Sequence, residues 1–448
     1  MNNLYTKLFP LTHHFYPLQQ YTKDEGNGFE AFISELKSKK QERTENLLYV
    51  HIPYCEQHCL FCPFHVRVNR KDKIYDEYVK VMVEEMELMS GFQYIQDMTI
   101  DAVYIGGGSP SLLSLESVKL LLNSLEKYFN ISKECEWTFE GEPNSLSDLE
   151  LLHFLDEFGV QRISYGVQTF DQQLREKLNI GATLEDVIRC TEKAKKFSFK
   201  DINIDMMYHM PGHTMRDLEA DISAIDKYGF DSVDYYYLSY YGFPKKVFLD
   251  MEKGLFPKRP PESLRHEMNK YIQNKMQDLD YDHVTDHVFS KLSKSSDYYR
   301  LLWGGGDGEY RSETLAIGSS ARGYINGYSY ANTTDPKKYM QEVRNGEIPL
   351  FKVSSKLSEP ENRGFVFFPK FFKIEKWRVQ PKSRYEDFFQ ILIKNGLMEE
   401  GKDYYYLTSE GKDWIPNITN DLLTDDQAAV VNEWLKQLDN HYANKVTL

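Results

Sequence analysis

The run Tyr49-Val50-His51-Ile52-Pro53-Tyr54-Cys55-Glu56-Gln57-His58-Cys59-Leu60-Phe61-Cys62-Pro63-Phe64 places three cysteines directly after an apolar, strand-like segment. The C-x3-C-x2-C spacing gathers the three thiols in one short loop. Three thiolates can hold three irons of a four-iron, four-sulfur cluster and leave the fourth iron open to a small molecule. The competing reading is a structural zinc site completed by His51, His58 or His65, since three Cys and one His are an ordinary zinc set. Zinc knots more often pair two short Cys spacings, and no second CxxC occurs in this chain. Two HxxxH pairs, His209/His213 and His283/His287, lie far off in sequence, and the first spans Pro211-Gly212, which a helix tolerates poorly. The spacing therefore favours iron–sulfur over zinc.

Outward from this loop, residues 47–240 alternate strand-like and helix-like runs. Strands are expected over 47–52, 102–105, 137–140, 162–167, 202–207 and 232–238. Amphipathic helices are expected near 73–91, 114–129, 147–158, 183–198 and 214–228. This alternation predicts an α/β fold of βα units around a parallel sheet, with chemistry at the carboxyl ends of the strands. Residues 1–46 read as an N-terminal extension, 47–244 as the (β/α)6 core, and 245–354 as a core extension or substrate cover. Residues 355–448 read as a small α+β, winged-helix-like module: a helix over 385–394, a stop at Asn395-Gly396, and a strand over 404–407.

The 448 residues are 41% hydrophobic, enough for a substantial core. No apolar run approaches the roughly 18–20 residues that span a membrane, and the N-terminus has no signal-peptide apolar region. Five cysteines, three of them clustered, do not make a disulfide framework. Cys135 and Cys190 are expected as buried thiols. A reducing, cytoplasmic location is expected. A formal net charge of −14 without a basic stripe argues against a general nucleic-acid binder. The cluster Arg67-Val68-Asn69-Arg70-Lys71-Asp72-Lys73 reads as a solvated loop, with docking of an acidic electron donor as the alternative. Tyr235-Tyr236-Tyr237 and Tyr240-Tyr241 end a strand, where rings pack by default and could line a pocket.

Polar residues recur at the strand ends. Gly106-Gly107-Gly108-Ser109-Pro110 lets backbone approach a ligand and offers amide donors. Glu140, in Glu140-Gly141-Glu142-Pro143-Asn144, can accept hydrogen bonds from a ribose or pair with an ammonium. Gln168 and Asp205 interrupt otherwise apolar strand ends. Buried polar groups there are costly unless satisfied, so each points to a ligand contact or a tight internal hydrogen bond.

YVHIPYCEQHCLFC at 49–62, GGGSP at 106–110, GVQTFDQQLREKL at 166–178, INIDMMYHMPGHT at 202–214 and AIGSSARGYING at 316–327 occur in order. The cysteine spacing resembles the radical S-adenosylmethionine (SAM) superfamily. The full set resembles the oxygen-independent coproporphyrinogen III dehydrogenase family, over roughly 45–330. The resemblance implies a partial (β/α)6 radical SAM barrel, a [4Fe-4S] cluster held by Cys55, Cys59 and Cys62, and reductive cleavage of SAM to a 5′-deoxyadenosyl radical. It also implies two SAM molecules. Tyr49, Gly107 and Glu140 fall where the family holds the cluster-bound SAM. Phe61, Gly108, Ser109, Gln168 and Asp205 fall where it holds the second. A small-molecule substrate and an electron donor such as flavodoxin or ferredoxin are the implied partners, with no nucleic acid and no membrane.

The chain departs from that pattern at several points. The fourth cysteine of the dehydrogenases, two positions after the third, is Phe64 here. An arginine that helps hold the second SAM falls near Ile180. The motif YGLPGQT appears as Tyr208-His209-Met210-Pro211-Gly212-His213-Thr214. A related heme chaperone carries HNxxYW, where this chain has Tyr298-Tyr299-Arg300-Leu301-Leu302-Trp303. These departures favour a third relative, the class C radical SAM methyltransferases. The expected activity is then transfer of a SAM-derived methylene or methyl group to an unsaturated carbon of a small molecule, giving methylation or cyclopropanation. The alternatives are oxidative decarboxylation of coproporphyrinogen III, anaerobic heme modification, or heme carriage. Tyr237, Tyr240 and His209 are the candidates for proton transfer or substrate contact.

Overall fold

Six apolar runs become β1 (Asn46–Ile52), β2 (Ile100–Gly107), β3 (Ile131–Gly141), β4 (Arg162–Gln168), β5 (Asp201–Tyr208) and β6 (Ser232–Tyr237). They appear in a computed structural model that describes residues 4–11, 14–19, 21–22, 27–64, 66–68, 72–304, 311–359 and 361–442. The six pair in chain order, all parallel. Past β6 the hairpin β7 (Asp282–Thr285) and β8 (Val288–Ser290) adds antiparallel strands at that edge. At the other edge β9 (Glu313–Ile317) runs parallel to β1 with Ala316 opposite Tyr49. β10 (Arg322–Ile325), β11 (Tyr328–Asn332) and β12 (Leu350–Val353) follow as a meander, and Tyr21–Thr22 closes the order of a 13-stranded sheet.

The expected α/β class and parallel core are present. Much of the stretch after 245 extends the same sheet, including a seventh parallel strand. Its strands are short and separated by turns, so their alternation leaves little periodic signal.

The crossover helices α1 (Asp72–Ser90), α2 (Leu115–Tyr128), α3 (Leu149–Phe158), α4 (Leu184–Ala194) and α5 (Met215–Tyr228) link the strands, and α6 (Glu262–Asp278) packs against α5. Thr183 with Asp186 and Thr214 with Asp217 form capping boxes that begin α4 and α5. Asp148 accepts from the amides of Glu150 and Leu151 to begin α3. These helices bury one side of the sheet, through Val50, Val103, Phe139, Ile163, Ile204 and Val233.

The strand residues between those apolar ones face the other way, and many are polar: Glu140, Arg162, Ser164, Asn203, Asp205, Ser232 and Asp234. Arg162 Nε lies 2.9 Å from Asp201 Oδ2, and Ser232 Oγ donates to Asp201 and Asn203. At the amino-terminal end of the strands this polar face is closed by a plug. The short helix α7 (Asp297–Leu302) packs there with Leu47, Ala102 and Tyr104, together with Tyr16 and Leu18 of the N-terminal extension. Near the carboxyl ends the polar face is left for a ligand.

The terminal module begins with α8 (Glu361–Phe371) and holds a three-stranded sheet, Lys373–Glu375, Tyr404–Leu407 and Met398–Glu400 in that order. Phe368, Phe389, Leu392, Tyr405 and Trp414 form its own core. Several contacts join it to the rest. Lys370 reaches Asp286 at 2.9 Å and lies over the Trp303 ring. The N-terminal extension binds it through Tyr5 to Asp421 and the Leu18 amide to Gln427. Among the described residues no helix is long and apolar enough to cross a membrane.

Candidate active site

The cysteine loop leaves β1 and is fastened on two sides. The Gly108 amide donates to Ile52 O and the Ser109 amide to Tyr54 O, each at 2.7 Å, so the glycine turn after β2 is zipped to the loop. A Cβ on Gly108 would sit 2.4 Å from Tyr54 O, so that approach requires glycine. On the other side the Leu60 amide donates to Leu178 O at 2.9 Å and Asn179 Nδ2 to His58 O at 2.7 Å.

The segment 175–182 is in turn locked by Arg175, which is 1% exposed. Its guanidinium donates to Thr169 O at 3.0 Å, to Ala182 O through Nε at 3.1 Å, and to Val167 O. Phe61 is buried with Leu174, Leu178, Met210, Tyr240 and Phe243.

Cys55 is buried, Cys59 and Cys62 are half-buried, and all three thiols are unbridged. Burial raises each thiol pKa, Cys59 to about 12, with the neighbouring thiols and Glu142 adding to the rise at Cys55 and Cys59. Thiols crowded in this way fit a metal that takes them as thiolates. Among the described residues no three His, Cys, Asp or Glu side chains converge on one metal ion. His51 is turned away, hydrogen-bonded to Tyr49 and packed under Gly107, His58 is exposed, and His65 lies outside the described residues, as do residues 69–71.

Next to the loop, the polar face of β1–β6 forms a chamber. Glu140 accepts from the Gly107 amide at 3.1 Å. Register places Gly166 beside Asp205 and Asp205 beside Asp234. Tyr104 and Tyr298 stack at 3.9 Å, with Tyr49 at about the same level on the neighbouring strand. Tyr299 donates to Asp234 at 2.9 Å and meets Tyr236 at 2.5 Å.

Burial raises Asp205 well above the usual carboxylate range, with Asp234 and Glu140 adding to it. Burial also raises Asp234, against the pull of Arg162. Burial pushes Glu140 up to about 7. Three carboxylates thus share a chamber in which Arg162 is the facing cation, and Arg162 is already engaged by Asp201 and Asp234. Such a site is relieved by a positively charged ligand. The ammonium and sulfonium of SAM would supply that charge.

The residues expected to hold SAM gather around this chamber and its rim. Tyr49, Glu140 and Asp205 are on the polar face, and Gly107 and Gly108 border the cysteine loop. Ser109 is buried, and its hydroxyl accepts from the Glu142 amide at 3.1 Å, so the side chain holds the loop. Gln168 sits at φ 67° just past a register shift in β4, with its amide folded over Gly166.

Tyr237, Tyr240 and His209 form a separate group. Tyr237 lies one strand position beyond Tyr236 and so faces the other side, against Tyr208 and His209. His209, itself at φ 61°, contacts Pro261 O through Nε2 at 3.1 Å, and Tyr240 donates to its carbonyl. Ile180 packs against the apolar cluster around Phe61.

Sequence reasoning passed over Tyr104, Arg162, Asp234 and Tyr298, which share the polar face, and Arg175, which braces the loop. Arg162 and Asp234 had a readable signal, polar residues at every second position of β4 and β6. Tyr298 had none, because it arrives on a distant helix.

A pH effect follows. Folded Glu140 keeps its proton to about pH 7, whereas an ordinary glutamate releases it near 4.5. The folded chain then binds more protons between these values, so its stability falls as pH rises from about 4.5 through 7. Cationic SAM prefers ionised Glu140, so its affinity rises over the same window. Thermal melts at pH 5.5 and 7.5 should show a larger SAM-induced stabilisation at the higher pH. Glu140→Gln should remove that difference; Glu85 and Glu136, also pushed up to about 7 by burial, leave the ligand-free slope in place.

Comparison with known proteins bears on the same residues. The model of the radical SAM superfamily matches residues 49–225. The heme chaperone HemW of Bacillus subtilis is 28% identical over 374 residues, covering 81% of this chain and 95% of its own length. The anaerobilin synthase of Escherichia coli O157:H7 is 26% identical over 396 residues, covering 87% and 86%. Among solved structures, the radical SAM enzyme coproporphyrinogen III oxidase of Escherichia coli superposes with a TM-score of 0.75 at 20% identity, covering 90% of this chain and 94% of its own. The implied cofactors, a [4Fe-4S] cluster and SAM, agree with the superfamily match.

The expectation of methyl or methylene transfer is corrected. The relatives that cover most of this chain are named for heme and porphyrin chemistry. The motifs around cluster and SAM are common to the scaffold and do not encode which substrate meets the radical.

Proposed function

From a chain that belongs to the radical SAM superfamily, in its coproporphyrinogen III oxidase-like branch, we propose an enzyme that acts on a porphyrin-type tetrapyrrole, heme or a coproporphyrinogen. The observation that carries this reading is the similarity to relatives named for those compounds, a heme chaperone over 81% of this chain and an anaerobic coproporphyrinogen III oxidase over 68%. The chamber supports it: flat tyrosine rings and buried carboxylates lie beside a three-thiol loop. When bound, the cluster and SAM supply a low-potential electron and a 5′-deoxyadenosyl radical.

The chain's own residues have other tasks. Cys55, Cys59 and Cys62 hold the cluster. The glycine turn, free of Cβ atoms, lets the backbone approach the methionine end of SAM, and Glu140 receives a ribose or ammonium. Asp205 and Gln168 are placed for a second SAM. The plug of α7 with the N-terminal extension keeps water from the lower end of the chamber. Tyr237, Tyr240 and His209 act from behind the strand ends, supporting β5 and β6. Trp303, the one residue kept from the heme-chaperone motif, is fully buried in the plug, which favours an enzyme over a carrier using that motif.

The test is anaerobic incubation of reconstituted, reduced protein with SAM and either heme or coproporphyrinogen III. A modified tetrapyrrole formed together with 5′-deoxyadenosine is expected with one of them. Stoichiometric heme binding with no SAM turnover would replace the reading with a carrier. Asp205→Ala should raise the SAM concentration needed for half-maximal turnover while leaving iron content unchanged. Unaltered SAM dependence would remove Asp205 from the site.

A further inference from the structure

The cysteine loop is backed by a short helix whose outer surface is out of character with the chain. Lys245–Glu252 turns Val247, Phe248 and Met251 inward, where they pack in one cluster with Phe61, and Cys59 and Leu60 lie against that cluster. The turn leading into the helix is pressed on the loop as well, since a Cβ on Gly242 would lie 2.6 Å from Phe61 O. The helix therefore shares one apolar cluster with Phe61 and Cys59 of the loop.

Its outer side and the turn after it carry Lys245, Lys246, Lys253, Lys258 and Arg259 against Asp250 and Glu252, in a chain of net charge −14. Lys246 is tied to Asp250 at 2.6 Å and Arg259 to Glu262 at 3.4 Å. Among the described residues, Lys245, Lys253 and Lys258 have no ion-pair partner. Among them stand exposed apolar side chains: Leu255 at 75% and Leu249 at 40%, with Phe64 at 60% just past Cys62 on the loop itself. Unpaired lysines around exposed leucines resemble a protein-docking rim and centre, and their sign selects an acidic partner.

We propose that this face docks a small acidic one-electron carrier protein, which delivers the electron to the cluster through the loop 59–62. The inference rests on the cluster reading and not on the identity of the substrate. One electron leaves the reduced carrier and enters the cluster; no bond is made or broken and no proton moves.

The test uses holoprotein under anaerobic conditions without a tetrapyrrole, so failure of the substrate reading does not affect it. The probe is a reduced acidic flavodoxin, and the readout is the rate of cluster bleaching, alongside the affinity of the oxidised flavodoxin for the holoprotein. Lys245→Glu/Lys253→Glu/Lys258→Glu should slow flavodoxin-driven bleaching about tenfold or more at low ionic strength and flatten its salt dependence. Reduction by dithionite should be unchanged. Leu255→Asp, a single change at an exposed site, should weaken flavodoxin binding without touching the fold. Equal flavodoxin rates and affinities in parent and variants would overturn the proposal. So would a self-association of the parent that Leu255→Asp abolishes, because the face would then belong to a second copy of this chain.

Discussion

Cys59→Ala protein should come out of anaerobic reconstitution without the visible absorption of an iron–sulfur cluster, and its 5′-deoxyadenosine formation should fall to background. The reasoning is chemical before it is structural. Each of the three thiolates serves one iron, so loss of one leaves two open irons and no means of holding the cube. The structure adds that Cys59 cannot be replaced from nearby. Among the described residues Cys135 and Cys190 are buried elsewhere in the sheet and helices, His51 is committed to Tyr49, and His58 is exposed. Iron and sulfide analysis with a SAM cleavage assay checks the result. A variant that keeps its cluster and still forms 5′-deoxyadenosine would sink the assignment of these thiols.

The second large effect is expected at a residue that touches no ligand. Arg175→Met removes a buried guanidinium that serves Val167 O, Thr169 O and Ala182 O. The apolar replacement leaves Thr169 O and Ala182 O without this donor in a buried site, while Val167 O keeps the Thr169 amide. The loss should be about 3 kcal/mol of stability, since an unsatisfied buried polar group costs about 1–3 kcal/mol.

Function should suffer more than stability suggests. The same segment supplies Leu178 O to Leu60 and Asn179 to His58, so the cysteine loop loses its brace. Iron retention should drop together with the denaturation midpoint. Arg175→Lys should rescue little, because an ammonium lacks the planar fork that reaches carbonyls on two sides. A variant with parental iron content and an unshifted midpoint would show that the brace is dispensable.

These two positions divide the problem of reading such a chain. The cysteine spacing is local chemistry, and its meaning survives without a fold. Arg175 lies in an amphipathic stretch where an arginine is ordinarily a solvated face, and only packing shows it buried. The same division holds at the strand ends. Glu140 and Asp205 stood out because a carboxylate in an apolar run is costly unless it is used. The choice between Tyr236 and Tyr237 turned on strand parity, since neighbouring residues point to opposite faces. Three consecutive tyrosines hide that parity, and the pairing with Met207 and Tyr208 reveals it.

By itself, then, the sequence determined what is periodic or covalently local. It gave the βα alternation that forces a parallel sheet, the thiol triad, the glycine turn that permits close backbone approach, and the carboxylates at strand ends. Tertiary structure decided what depends on meetings between distant segments. It placed Tyr298 of α7 on Tyr104 of β2, fed β9 in beside β1, set Lys370 against Asp286 across the terminal module, and laid the helix Lys245–Glu252 behind the cysteine loop. The physical reason is range. Periodicity and spacing record interactions over a few residues, whereas the chamber's walls and plug come from distant parts of the chain, whose contacts leave no pattern in either segment alone.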